Sequence, residues 1–284
     1  MTKGSPLGDE CIHGFEDGLC AICFPPKEPE PAPTATAARV SRPRTTAAAR
    51  PAATRPRAAA GRAPKLGAPV DVRGTRLYHV THVDNLGRIL GAGAVLADQG
   101  GPGANPVVDI AAPALREYRR TAPAPGGHGV LADYVPFFLG VDAPIWEAVR
   151  SGTPDPRLAD DVVTRPAADH VILVSSVAAA VGARADLPGE IVATDSDAAA
   201  GVALAASTWP EVERMLVRLT RLEEGAGLRQ AEVHVRGQVP LERFALIAVG
   251  NDRVRDRVRQ ALTAVGATTR VAVYPPWFQA PEEG

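Results

Sequence analysis

Between residues 27 and 72 the chain has almost nothing from which to build a core. The stretch PEPAPTATAARVSRPRTTAAARPAATRPRAAAGRAPKLGAP is dominated by Pro, Ala, Thr and Arg, with hardly a large apolar side chain. Fixing one residue's backbone costs about 1–2 kcal/mol, and a segment with so little to bury cannot offset it. We read 27–72 as a disordered linker with extended, polyproline-like stretches. It divides the 284 residues into a short piece, 1–26, and a region, 73–284, long enough for a domain with its own core. From Arg39 to Lys65 the linker carries eight Arg or Lys residues and no acid. Such an arm is attracted to a phosphate backbone in a sequence-independent, salt-sensitive way, unless it is only a soluble spacer.

The uneven charge matters because the total hides it: net charge is −1 and the pI is near 6.6. No apolar run approaches the roughly 18 residues of a membrane span. The opening MTKGSPLGDE has no apolar stretch behind its lysine, so we expect no secretory signal and a cytoplasmic location. All three cysteines lie within the first 23 residues. Cys11, His13, Cys20 and Cys23 supply three thiolates and an imidazole, a donor set suited to one tetrahedral structural zinc. Inert thiols, or a Cys20–Cys23 redox pair or disulfide, are the alternatives, though no thioredoxin-like pattern surrounds the pair.

In the larger region, Leu77–Thr81 reads as a strand. A helix follows over about 84–90, with Asp84 as its cap and Gly91 or Gly93 as its stop. Residues 98–130 are rich in Gly and Pro, with a helical candidate at about 113–120. Val171–Val174 suits a buried strand. Val212, Met215, Leu216 and Leu219 recur at helical spacing over 210–222. Ala231–Arg236 and Phe244–Val249 read as strands. Asn251 then caps a helix carrying Val254, Val258, Leu262 and Val265 on one face, and Val271–Tyr274 is a last strand. Strands and helices without regular βαβ alternation argue for an α+β fold.

Three strings carry chemistry. Leu77-Tyr-His-Val-Thr-His-Val-Asp-Asn-Leu86 gathers polar residues at a strand end, although a histidine there is more often structural. Gly126-Gly-His-Gly-Val-Leu-Ala-Asp-Tyr-Val-Pro-Phe-Phe138 is the most distinctive run, and its bland reading is a turn feeding a core strand. In Arg229-Gln-Ala-Glu-Val-His-Val235, alternation puts Ala231, Val233 and Val235 on one face and Glu232, His234 and Arg236 on the other. A carboxylate in mid-strand costs free energy unless it has a task or a partner, or lies on a solvated edge. No G-x-G-x-x-G or G-x-x-x-x-G-K-[ST] pattern is present, so a Rossmann or P-loop nucleotide site is not expected.

Together, in this order, the three strings resemble the DarT family of DNA ADP-ribosyltransferases. The resemblance spans about residues 77–241. It implies the split β-sheet ADP-ribosyltransferase fold, with NAD as co-substrate. It puts His79 and Thr81 on the dinucleotide, with Asn85 and Tyr134 as further contacts. Glu232 would be the catalytic carboxylate, stabilising the positive charge that develops as nicotinamide leaves. A catalytic arginine is implied within Leu115-Arg-Glu-Tyr-Arg-Arg-Thr121, for which we choose Arg119, with Arg120 nearly equal and Arg116 behind. The family also implies single-stranded DNA as acceptor and a macrodomain antitoxin (DarG-like) as partner. The chain departs from the family at Asp142-Ala-Pro-Ile145, and over Thr194-Asp-Ser-Asp-Ala198 to Trp209 it matches only loosely. Two other readings stay open: RNA or protein as acceptor, and a non-catalytic DNA-binding module.

Overall fold

A computed structural model describes residues 69–281 of the chain, apart from 127, 202 and 223–225. The Cys11/His13/Cys20/Cys23 cluster and nearly all of the basic linker lie outside the described residues. The end of the expected linker does not: Val72 is 5% exposed and Val70 packs against the same core. The domain therefore takes in the last few residues that composition assigns to the linker, because two valines are enough to anchor them.

Within the described residues the chain runs β1 (Arg76–His82), α1 (Leu86–Ala92), β2 (Ala94–Leu96), α2 (Pro113–Thr121), β3 (Tyr134–Phe138), α3 (Pro144–Ser151) and β4 (His170–Ser176). There follow α4 (Val177–Val181), β5 (Ile191–Thr194), β6 (Ala205–Ala206), α5 (Trp209–Arg221), α6 (Ala226–Gln230) and β7 (Glu232–Arg236). The last elements are β8 (Gln238–Pro240), β9 (Leu246–Val249), α7 (Asp252–Ala264) and β10 (Arg270–Val273). Eight strands form one sheet in the order β10-β9-β4-β1-β3-β7-β5-β6, and β2 pairs with β8 separately. Every pairing is antiparallel except β9–β10, which α7 connects. This is the α+β architecture expected from the sequence.

The helices obey their local signals. In α5, Val212, Met215, Leu216 and Leu219 are buried, and the Glu211 carboxylate reaches back to accept the Thr208 N–H at 3.3 Å, one half of a capping box. In α7, Asn251 Oδ1 accepts the Val254 N–H at 2.9 Å, as a helix cap should. Val265 departs from expectation: it follows the last helical residue and is 50% exposed, because the helix ends one residue before it. Asp84 departs too. The strand runs straight into a 3-10 turn at Val83–Asn85, so the His82 ring accepts the Asp84 N–H, while the Asp84 carboxylate pairs with Arg257 on α7. Gly93 is the stop of α1, at φ 65°, and Gly91 stays inside the helix.

The sheet has two buried faces. One carries Leu77, Val135, Phe137, Val233 and Val235 into the main core under α1, α5 and α7. The other meets Trp146 of α3 through Tyr78, Phe138 and Ile172. Between β1 and β3 the sheet comes apart. β1 pairs with β4 along its whole length, but with β3 only at Tyr78–Phe138. Pro136 sits in β3 beside this gap. Its carbonyl faces β1, so its missing N–H faces the same way, where a ladder partner would have left it conspicuous. The His79 ring closes the gap instead, with Nδ1 3.0 Å from the Pro136 carbonyl.

Candidate active site

The gap between β1 and β3 opens into a cleft with two connected chambers. The first is walled by His79, Thr81, Asn85, Asp98, Arg116 and Arg119, among others. The second shares His79, Arg119 and Pro136 with the first and adds Phe138, Trp146, Asp197 and Glu232. A groove continues past Glu232 between Arg157, Ser196, Arg229 and Gln230.

Glu232 opens β7, which lies between β3 and β5, so the solvated-edge reading of this residue fails. Its register partners are Phe138 and Thr194, which puts it on the Trp146 face of the sheet. Oε2 accepts two hydrogen bonds, from His234 Nε2 at 3.1 Å and from the Ala198 N–H at 3.2 Å. Burial pushes the carboxyl up, but the His234 ring, the Ala198 N–H and the Arg119 guanidinium together hold it below the usual range. Glu232 is therefore ionised at neutral pH.

The three arginines of α2 separate cleanly. Arg116 is buried and committed to Asp109 at 2.5 Å and Asp98 at 3.5 Å. Arg120 is exposed, pairs with Glu117 at 3.1 Å, and lines neither chamber. Arg119 alone lines both chambers, steadied by Asp98 at 3.7 Å and by the Tyr134 carbonyl at 3.5 Å. Residues three and four apart share a helix face, so only tertiary partners could tell them apart.

His79 stands where β1 leaves β3. Burial holds its pKa below the ordinary histidine value, and the Pro136 carbonyl can only accept. The proton therefore sits on Nδ1, and Nε2 is the acceptor. Thr81 Oγ1 accepts from Asn85 Nδ2 at 3.0 Å, which leaves its own hydroxyl proton to donate. Asn85 and Tyr134, both expected at the dinucleotide, have their polar atoms paired within the protein. The Asn85 amide is spent on Thr81, on the Val108 carbonyl, and on the Val107 and Val108 N–H groups at 2.6–3.0 Å. With both donors and both lone pairs used, it holds a wall of the chamber. Tyr134 is wholly buried and lines neither chamber. Its hydroxyl lies 2.7 Å from the Gly189 carbonyl and 3.0 Å from that of His128, so it ties β3 to the chain before β5.

Sequence reasoning passed over two groups. His234 shares the Glu232 face by simple alternation, a signal that was in plain view. Asp197 and Ala198 left no such signal, because their place depends on the turn between β5 and β6. There Asp197 Oδ1 caps Ala199 at 2.8 Å while Oδ2 meets Arg157 at 3.0 Å. Arg157 is itself forked onto Asp155 at 2.7 and 2.9 Å, so the turn that presents the Ala198 N–H is held from outside the sheet. Among the described residues, no group of three or more His, Cys, Asp or Glu side chains is placed to hold a metal ion.

Known proteins resemble this chain in sequence and fold. A DNA ADP-ribosyl transferase from Thermus sp. (strain 2.9) is 41% identical over 78 residues, 28% of this chain and 37% of that protein. The structure of Thermus sp. 2.9 DarT in complex with ADP-ribosylated ssDNA is 29% identical, covers 72% of this chain and 96% of its own, and superposes with a TM-score of 0.57. The same protein in complex with NAD+ gives 28% identity, 72% and 98% coverage, and a TM-score of 0.56. The family model described as ssDNA thymidine ADP-ribosyltransferase, DarT, matches residues 78–279, and the chain belongs to that family.

Proposed function

We propose that this chain transfers ADP-ribose from NAD to a base of single-stranded DNA. The observation that carries the reading is the meeting of His79, Arg119 and an ionised Glu232 around one chamber at the split in the sheet. NAD is the co-substrate, lying through both chambers with its nicotinamide ribose near Glu232. The His79 Nε2 acceptor and the Thr81 hydroxyl donor complement a ribose hydroxyl and an amide. Arg119 offers guanidinium donors to the phosphates.

The bond between nicotinamide and the ribose C1′ breaks, and nicotinamide leaves as a neutral base. Positive charge then spreads over C1′ and the ring oxygen. A carboxylate bonded to the ribose 2′-hydroxyl stabilises that charge without reorganising, and Glu232 is built for it by being ionised and pre-aligned. A base nitrogen attacks C1′ and loses its proton, which Glu232 can accept. Thymidine is the first acceptor to test, since the family description names it. A single strand leaves the base unstacked and reachable.

The decisive experiment incubates the protein with NAD and single-stranded oligonucleotides that differ in one base, then weighs the DNA by mass spectrometry. Transfer should appear on DNA and fall on the order of 10³-fold in Glu232→Ala, the loss expected for a preorganised stabiliser. Modified RNA or protein with unmodified DNA would move the reading to another acceptor. No transfer at all would favour a binding module.

A macrodomain antitoxin of the DarG kind would reverse the modification, and co-expression should relieve toxicity in a host cell. Cys11, His13, Cys20 and Cys23 would hold one structural zinc, which elemental analysis of chelator-free protein would find at one equivalent. The site of action would be the cytoplasm; no described helix is long and apolar enough to cross a membrane.

A further inference from the structure

We propose that His234 is a positioning residue for Glu232: together with the Ala198 N–H it holds Oε2 and leaves Oε1 as the oxygen that meets the sugar. The inference rests on the role given to Glu232 above.

The imidazole of His234 is 1% exposed, in the middle of a sheet where valine would pack without a polar group to satisfy. Nδ1 is buried with no hydrogen-bond partner among the described residues, and the bond from Nε2 to Glu232 is what the ring provides. Burying a polar ring with one nitrogen unsatisfied costs free energy, so its retention calls for a task. The task is legible in the geometry. The last torsion of a glutamate is broad, so a carboxylate held at one point still swings. Two donors converge on Oε2 from different elements, β7 itself and the β5–β6 turn, at 3.1 and 3.2 Å. The turn is fixed in its own right by Asp197 and Arg157. With Oε2 saturated from two directions, rotation of the group is blocked.

The charged and titratable groups that face Glu232 are His234 on its own strand, His79 of β1 and Arg119 of α2 across the chamber, Asp197 from the turn with Arg157 behind it, and Arg229 along the groove. Thr194 of β5, its register partner, carries no charge. Removing the His234 hydrogen bond leaves burial less opposed. The Glu232 carboxyl should then lose its proton at higher pH, and the acid limb of the rate profile should move up.

The experiment compares His234→Leu with His234→Gln, whose side-chain amide can place an N–H near the position of Nε2. In the leucine variant kcat should fall about 10- to 100-fold, the range for a hydrogen bond to a charged group, with KM for NAD unchanged. The acid limb should rise, and glutamine should restore most of both. Should leucine not fold, His234→Asn, too short to reach Oε2, is read in its place. A 13C titration of the Glu232 carboxyl, assigned with Glu232→Gln, gives a readout independent of turnover. It should move up in the leucine variant and return in the glutamine variant. Wild-type kcat with an unmoved carboxyl titration in His234→Leu would overturn the proposal, and so would equal impairment of the leucine and glutamine variants. A wild-type protein that transfers nothing would overturn the assigned reaction, while the titration would still decide the tie between His234 and Glu232.

Discussion

His170 makes the stability of this domain sensitive to mild acid. The residue opens β4, is wholly buried, and packs its ring edge-on against His82 at 5.2 Å and Trp146 at 5.5 Å. Nδ1 lies 3.2 Å from the Ala167 carbonyl, and Nε2 has no hydrogen-bond partner among the described residues. Burial, with the neighbouring His82 adding to it, lowers the pKa from 6.5 to about 4. The folded state thus binds the proton less well than the unfolded chain does. Stability from the neutral ring is fully present above pH 6.5 and is lost as pH falls toward 4. A shift of this size amounts to about 3 kcal/mol once both limits are passed, and to about 2 kcal/mol between pH 7.5 and 5. His79 and His82, also held low by burial, act in the same direction. His170→Phe removes one titration and keeps an aromatic ring at the position. Urea unfolding at pH 7.5, 6.5, 5.5 and 5.0 should show wild type losing about 2 kcal/mol more than the variant over that range. Because Trp146 also walls the second chamber, its fluorescence, isolated by replacing Trp209 and Trp277 with Phe, reports the same transition at the site. Identical pH dependence in wild type and His170→Phe would refute the reasoning.

Other expectations test the site and the linker. Arg119→Ala should lower kcat/KM for NAD by on the order of 10²-fold or more, while Arg120→Ala, with its exposed ion pair to Glu117, should change it less than about twofold; the reverse order in steady-state kinetics would exchange their roles. Tyr134→Phe should cost about 1–2 kcal/mol of stability by orphaning the Gly189 carbonyl and leave KM for NAD unchanged, so a raised KM at constant Tm would return this ring to the ligand. Deleting residues 27–66, which spares Val70 and Val72, should weaken DNA binding at low salt and flatten its salt dependence without altering the modified base; equal slopes for the two proteins would make the segment a spacer.

Much of this fold could be read from the chain because its helices and inner strands obey simple periods. Val212, Met215, Leu216 and Leu219 point inward in α5 because nothing competes with the 3.6-residue rule there. The same regularity placed Glu232 opposite Val233. What escaped were elements too short or too plain to show a period. β5 is four uniformly buried residues, β8 is three, and α3 starts at a proline in a stretch that departs from the family motif. Each depends on partners distant in the chain: β5 on β7, β8 on β2, and α3 on Trp277, whose carbonyl accepts the Trp146 indole N–H at 2.8 Å.

The site divides along the same line. Residue types in a motif say that a polar group is needed, but not whether it faces a ligand or the protein. His79 and Asn85 come from one string, six residues apart, and both line the cleft. The imidazole spends one nitrogen on Pro136, and its other nitrogen is an acceptor. The amide spends all four of its hydrogen-bonding capacities on the wall behind. Tyr134 repeats the lesson on β3, where a distinctive motif residue turns out to hold the scaffold through Gly189. Conversely, His234 carries no motif weight of its own and yet touches the carboxylate to which we assign the chemistry in our proposal. What separates a binding residue from a supporting one is its unspent hydrogen-bonding capacity, and that depends on the partners the fold brings to it.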